Sequence, residues 1–124
     1  MKYVALVYYS EERMKELSPH QWDALNRECM TCGEQLRERG AMLGGEALHA
    51  VESATTLRVR NGELSIIDGP FAETKEQLAG FYLLEARDLN EAIQIASKIP
   101  PARYGSIEVR PVRELQTENN ATYC

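Results

Sequence analysis

The chain has 124 residues, and its 14 basic and 19 acidic side chains give a net charge of −5. Nucleic acids and anionic membrane surfaces attract basic patches, so this balance argues against both as partners. The opening residues lead straight into a short strand-like run, and no apolar run approaches the length of a membrane span, so we expect a cytoplasmic protein that does not associate with membranes.

The first 40 residues predict a strand followed by a long amphipathic helix. Residues 3–9 (YVALVYY) form an unbroken apolar and aromatic run, typical of a central strand, and residues 10–17 read as a loop or a loose helical turn. Ser18 suits an N-cap, Pro19 the first helical position and Gln21 a capping box, and Gly40 suits the end of the helix. Apolar residues at spacings of three and four predict one buried stripe, formed by Trp22, Leu25, Cys29, Cys32 and Leu36.

The next segment predicts a strand and a hairpin. Residues 41–51 read as a second strand, and the pair Gly44-Gly45 within it indicates a bulge or a close approach by backbone or ligand. Two alternating segments, Thr55–Arg60 and Glu63–Asp68, flank Asn61-Gly62, the strongest short signal for a hairpin.

The last third predicts a strand, a helix and a final strand. Residues 78–86 form the strand, and Asp88 and Glu91 cap a helix that we expect to bury Leu89, Ala92, Ile93, Ala96 and Ile99. Pro100-Pro101 stops this helix, and residues 106–112 form the last strand, where Pro111 indicates an edge or the end of the strand. We expect residues 1–113 to form a single domain and the polar residues 114–124 to form a flexible tail.

The predicted order is βαββαβ with an inserted β-hairpin, which is a ferredoxin-like arrangement of the α+β class with an antiparallel sheet. Two helices cover only one face of such a sheet. We therefore expect a homodimer in which the uncovered sheet faces pack on each other. The alternative is a monomer with one solvated sheet face, which antiparallel sheets allow.

The segment DGPFAETKE, residues 68–76, follows the hairpin and contains a rigid corner at Gly69-Pro70. It resembles the signature of the DGPF branch of the YCII-related (YciI-like) family, and the segments MKYVALVYY, GGEAL, ATTLRVRNGE and PPARYGSIEVRPV extend this resemblance over nearly the whole domain. The resemblance implies a dimeric α+β barrel. It also implies an acidic site residue at Asp68, whereas His20 does not match the position of the histidine in YciI-type relatives.

Two functions follow from these features. One is a small enzyme, without metal or other cofactor, that performs acid–base chemistry on a small organic molecule. Asp68 and Glu46 would be its catalytic residues, and Phe71, Tyr82 and Arg103 would bind the substrate. The other is a non-catalytic ligand-binding module or, because DGPF-type proteins are similar to domains associated with alternative sigma factors, a regulatory one.

Each candidate residue also has a structural interpretation. Asp68 could cap its own turn, Glu46 could point to solvent, and Arg103 could pair with a nearby carboxylate such as that of Glu108. Cys29 and Cys32 have CxxC spacing, but they lie in the middle of the predicted helix, where packing is favoured over redox or zinc chemistry.

Overall fold

The computed structural model describes residues 1–116, so most of the predicted tail, including residues 117–124, lies outside the described part. Three α-helices and six strands form the domain: β1 Lys2–Tyr9, α1 Glu11–Met14, α2 Pro19–Glu38, β2 Met42–Ala47, β3 Thr55–Arg60, β4 Glu63–Asp68, β5 Gln77–Glu85, α3 Leu89–Ala96 and β6 Ser106–Pro111. Short 3-10 helices lie at Val51–Ser53 and Pro100–Arg103.

The main sheet has four antiparallel strands in the order β2-β5-β1-β6, and the hairpin β3–β4 forms a separate two-stranded sheet. Without the hairpin, this is the ferredoxin-like order of a βαββαβ chain. The predicted α+β fold is therefore confirmed. Strand β6 is an edge strand, as Pro111 indicates, since proline cannot donate to a neighbouring strand.

Helix α2 begins and ends where the sequence predicts. The Ser18 hydroxyl accepts a hydrogen bond from the Gln21 backbone N–H (3.1 Å), and the Gln21 side chain accepts one from the Ser18 backbone N–H (2.8 Å). At the other end Gly40 has a φ of +71°, and the Ala41 N–H donates to the carbonyl of Leu36 at 2.8 Å. This left-handed glycine ends the helix and turns the chain back into β2.

The core lies between the two long helices and one face of the sheet. Its buried side chains come from strands β1, β2 and β5, from α2 and α3, and from the connections beside them: Tyr3, Ala5, Val7, Leu36, Ala41, Met42, Ala79, Leu84, Ala86, Ala92, Ile95, Ala96 and Ile99. Because side chains alternate along a strand, Val4 and Leu6 point to the opposite face, with their cross-strand partners Leu83 and Phe81. We call these four residues the open sheet face. All four are half-buried.

Two details of the predicted elements were wrong. The second strand ends at Ala47 rather than at residue 51, because the chain then turns into the 3-10 helix, whose Val51 N–H donates to the Glu11 carboxylate at 3.0 Å. In α3, Leu89 and Ile93 are 50% and 49% exposed rather than buried. The small face formed by Ala92, Ile95 and Ala96 packs on the sheet instead, and this leaves Ile93 on the flank.

The hairpin has the predicted register, with Arg60 opposite Glu63 and Leu57 opposite Ile66. Asn61 and Gly62 both have positive φ angles (+53° and +77°), as a two-residue turn between twisted strands requires. The corner that follows is also formed. Gly69, with a φ of +107°, donates its N–H to the carbonyl of Ala54 at 2.7 Å.

Candidate functional site

A cavity of about 310 Å³ lies between α2 and the face of the sheet that the helices cover. Helix α2 supplies one wall and strands β1, β2 and β5 supply the floor. We call it the α2 cavity; its lining residues are Val7, Tyr9, Trp22, Leu25, Asn26, Cys29, Met30, Gly33, Glu34, Arg37, Met42, Gly45, Glu46, Ala47, Ala79, Gly80, Phe81, Tyr82 and Pro101. The volume lies at the lower end of the range for small-molecule sites, which are mostly apolar with a few polar groups.

Three glycines keep this space open. A Cβ built on Gly45 would lie 2.7 Å from the carbonyl oxygen of Phe81, and one on Gly80 would lie 2.8 Å from that of Glu46. Strands β2 and β5 therefore approach each other here more closely than any side chain would permit. Gly33, buried in the middle of α2, leaves the helix wall without a side chain at that point.

Two tyrosines give the cavity hydrogen-bonding groups. Burial, aided by the nearby thiols of Cys29 and Cys32, raises the pKa of Tyr82 to about 12, although the Arg37 charge acts in the opposite direction. Burial also raises the pKa of Tyr9, whose ring packs edge-on against Trp22 at a centroid distance of 6.4 Å. Both phenols therefore stay protonated near neutral pH and can donate hydrogen bonds.

The charged groups of the cavity are Glu34, Arg37 and Glu46, and all three are exposed residues. Within residues 1–116, Arg37 takes part in no ion pair, unlike Arg27, Arg87, Arg103 and Arg110. Its guanidinium is therefore available to an anionic group of a ligand.

The cysteines of the CxxC segment are only half-buried, so their side chains are not fully enclosed in the core. Cys29 lines the α2 cavity, and Cys32, one turn further along the same side of the helix, lines a neighbouring cleft, where its thiol is 3.8 Å from the carbonyl of Lys98. Burial raises the pKa of both thiols. A raised pKa lowers the fraction of reactive thiolate at neutral pH, so these cysteines do not have the environment of a redox pair. No three His, Cys, Asp or Glu side chains of the described chain are grouped to hold a metal ion.

Of the five site residues predicted from the sequence, the structure brings two to this cavity, Glu46 and Tyr82. Glu46 lies on the edge strand β2 opposite Phe81, whereas its neighbour Gly45 lies opposite Tyr82. Strand alternation therefore directs Glu46 away from the side of the sheet that carries the Tyr82 ring.

The other three predicted residues lie elsewhere. Asp68 is exposed at the end of β4, Phe71 is 77% exposed, and neither lines the α2 cavity or the two other clefts of about 690 Å³ each. Arg103 lines one of those clefts and pairs with Glu28 of α2 at 2.8 Å. This hydrogen bond raises the pKa of Arg103 above its usual value. Arg103 thus has a carboxylate partner, though not one of those expected.

Sequence reasoning missed Arg37, Trp22, Tyr9 and Asn26 as lining residues. The spacing of apolar residues along α2 identifies Trp22 and Cys29 as facing inward. It cannot distinguish side chains packed in the core from side chains that line a cavity. The sequence signal for this cavity was the pair Gly44-Gly45, which indicated a close approach by backbone or ligand at this strand.

The described part of the chain contains no helix that is both long and apolar enough to cross a membrane. A curated relative, the uncharacterized protein R00369 of Rhizobium meliloti (strain 1021), is 37% identical over 114 residues, which cover 90% of this chain and 92% of that protein. The model of the YCII-related domain matches residues 1–116, and the chain therefore belongs to the YCII-related family.

Proposed function

We propose that the protein binds a small organic molecule in the α2 cavity, and that this ligand combines an apolar body with a carboxylate or carbonyl oxygen. The observation that carries the proposal is the position of Arg37, which has no ion-pair partner among residues 1–116 and lies near the protonated phenol of Tyr82 in a mostly apolar cavity. A cation and a phenol at one cavity favour an acceptor oxygen.

The apolar part of the ligand would contact Leu25, Met30 and Met42, with Trp22 and Tyr9 nearer the start of α2. Methionine side chains adapt to irregular shapes, and aromatic rings pack well against flat ligands. We therefore propose an aromatic or short aliphatic acid rather than a sugar or a nucleotide, which would require more polar partners than the cavity provides.

A second candidate is the acid–base enzyme predicted from the sequence. Its support is that Glu46 is among the lining residues of the α2 cavity, although strand alternation directs its side chain away from the Tyr82 ring. Asp68 is still a predicted catalytic residue, although it does not line this cavity. Phe71 and Arg103 are still predicted binding residues, and they do not line it either. Binding is the function that the geometry supports better, because the two predicted carboxylates do not share a recess.

We also propose that the protein is a homodimer, with a second copy covering the open sheet face, and we expect it to be cytoplasmic. The four residues of that face lie on the side of the sheet opposite the helices, and all are apolar.

Trp22 makes the binding proposal directly testable, because it is the single tryptophan of the chain and lines the cavity. We expect benzoate, phenylacetate or phenylpyruvate to change its fluorescence in a saturable way, and neutral benzyl alcohol to bind more weakly. Arg37→Gln removes a charge-assisted hydrogen bond and should weaken carboxylate binding about tenfold, while leaving benzyl alcohol unaffected. Equal affinity of the variant for the carboxylates would contradict the role of Arg37.

The same complex tests the enzyme. Phenylpyruvate has acidic methylene protons, and a general base at Glu46 would accelerate their exchange in D₂O, as followed by proton NMR. Glu46→Gln should then abolish the acceleration without loss of binding. If the wild-type protein binds phenylpyruvate and exchange stays at the rate without protein, Glu46 does not act as a base on this class of ligand.

A further inference from the structure

Gly33 is a glycine in the interior of α2 that the helix itself does not require. The residue is buried and lies well inside the helix, which runs from Pro19 to Glu38. Its φ is negative, so the backbone conformation is one that any residue adopts. Glycine is the least favourable residue after proline inside a helix, and an isolated glycine there usually has a packing or a functional reason.

Close packing does not supply that reason. An ideal Cβ on Gly33 would lie 3.7 Å from Arg37 Nη1 and 3.8 Å from Met42 Sδ, which are ordinary van der Waals distances to the ends of flexible side chains. On Gly45, by contrast, a Cβ would lie 2.7 Å from the carbonyl oxygen of Phe81, so backbone excludes a side chain there. A methyl-sized space therefore lies beside Gly33. We call it the Gly33 space, and Gly33, Arg37 and Met42 all line the α2 cavity.

We propose that the Gly33 space receives a substituent on the carbon atom next to the carboxylate of the ligand. This rests on the proposed binding function and narrows its ligand class to 2-substituted carboxylic acids, such as 2-methyl, 2-hydroxy or 2-oxo acids. Alanine would fit at Gly33 and would favour the helix. Glycine at this position is then a loss of stability that keeps the ligand site open, as is common where function and stability compete.

The distances place the substituent near the carboxylate rather than at the far end of the ligand. A carboxylate oxygen lies about 2.9 Å from the nitrogen that donates a hydrogen bond to it. The Cβ position that defines the Gly33 space is 3.7 Å from Arg37 Nη1. A ligand atom in this space is therefore attached within a bond or two of a carboxylate held by Arg37.

The two side chains beside the Gly33 space limit what it accepts. Arg37 can donate a hydrogen bond to an oxygen substituent, whereas the Met42 thioether offers an apolar surface to a methyl group. Met42 is 7% exposed, and its Cε lies 2.8 Å from the position of a Cβ on Gly45. The methionine thus lies between the two glycines, and a substituent of more than one or two heavy atoms would have to displace it.

The two enantiomers of 2-phenylpropionate test the proposal, with unbranched phenylacetate as the reference and Trp22 fluorescence as the measurement. Only one enantiomer can direct its methyl group into the Gly33 space while its carboxylate contacts Arg37. We therefore expect the wild type to bind that enantiomer about tenfold more tightly than the other. In Gly33→Ala the new methyl group fills the space. The preferred enantiomer should lose about tenfold in affinity and the preference should disappear, whereas phenylacetate should stay within about twofold.

Gly44→Ala is the matched control. Gly44 does not line the α2 cavity, and a Cβ there would meet no heavy atom of residues 1–116 within 4 Å. This variant adds the same methyl group to the neighbouring strand and should leave all three affinities unchanged. Circular dichroism shows whether each variant folds, and a Gly33→Ala variant that fails to fold would overturn the proposal, because its Cβ would then have no free space.

The remaining outcomes separate the proposal from the binding function on which it rests. A wild type that binds phenylacetate without distinguishing the two enantiomers overturns the role of the Gly33 space and leaves the binding function intact. The same holds if Gly33→Ala binds the preferred enantiomer as tightly as the wild type does. A wild type that binds neither phenylacetate nor either enantiomer overturns both.

Discussion

The floor of the α2 cavity depends on the close approach of β2 and β5 at Gly45, and Gly45→Ala tests this approach. The added Cβ would lie 2.7 Å from the Phe81 carbonyl oxygen, 2.8 Å from Met42 Cε and 3.2 Å from Tyr82 Cα. The methionine end can move, but the two backbone atoms cannot move without separating the strands. Because overpacking of this kind costs about 1–3 kcal/mol, we expect the free energy of unfolding to fall by that amount.

Gly33→Ala is the matched substitution on the opposite wall. Its Cβ would meet Arg37 Nη1 at 3.7 Å and Met42 Sδ at 3.8 Å, both ordinary contacts. Alanine is favoured over glycine inside a helix by about 0.5–1 kcal/mol, and nothing here offsets that gain. The two variants should therefore change stability in opposite directions and differ by about 1.5–4 kcal/mol.

Urea denaturation at fixed protein concentration measures both effects, with Trp22 fluorescence and circular dichroism as independent probes. Coincident transitions would justify a two-state free energy. If Gly45→Ala were as stable as the wild type, the strands would not approach as described. If Gly33→Ala were destabilised by 1 kcal/mol or more, the space assigned to the cavity wall would already be filled.

Ser18→Ala removes the capping box of α2 and should lower the free energy of unfolding by about 1 kcal/mol in the same urea experiment, and an unchanged value would mean that the cap contributes nothing. Burial raises the pKa of Tyr82 from 10.0 to about 12. The contribution of this phenol to the free energy of unfolding is therefore fully present below pH 10 and is lost as the pH rises towards 12. After allowance for partial exposure, the wild type should lose about 1–2 kcal/mol more than Tyr82→Phe across that window in denaturation series, and parallel curves would argue against the buried phenol. Asp68→Asn should leave the affinity of aromatic carboxylates within about twofold, since Asp68 does not line the α2 cavity, whereas a tenfold loss by Trp22 fluorescence would return Asp68 to the ligand site.

The elements set by local chemistry were predictable. The Ser18–Gln21 capping box fixes the start of α2, and Asn61-Gly62 fixes both the turn and the register of the hairpin, because each depends on residues close in sequence. The ferredoxin-like order followed from the sequence of these elements and from the need to cover an apolar sheet.

Properties that depend on distant packing were less predictable. The periodicity of α3 allows several neighbouring faces, and only contact with the sheet selects Ala92 and Ile95 over Leu89 and Ile93. Likewise, no periodic pattern shows that the inward stripe of α2 borders a gap at Cys29 rather than a packed core.

The expectation for Asp68 depended on one assumption, that the corner after the hairpin lies beside the main sheet. The hairpin instead forms a sheet of its own, so the carboxylate at its end lies away from Glu46 and Tyr82 in the single chain. The sequence identifies the corner correctly, with Gly69 in the left-handed region, but it does not determine where the hairpin lies.

A crystal structure of the protein grown with the best-binding aromatic carboxylate would show whether the α2 cavity holds this ligand. We expect ligand density between α2 and the sheet, with a carboxylate oxygen within hydrogen-bonding distance of the Arg37 guanidinium and the Tyr82 hydroxyl. Ligand density at Asp68 or on the protein surface, with the α2 cavity unoccupied, would contradict this expectation.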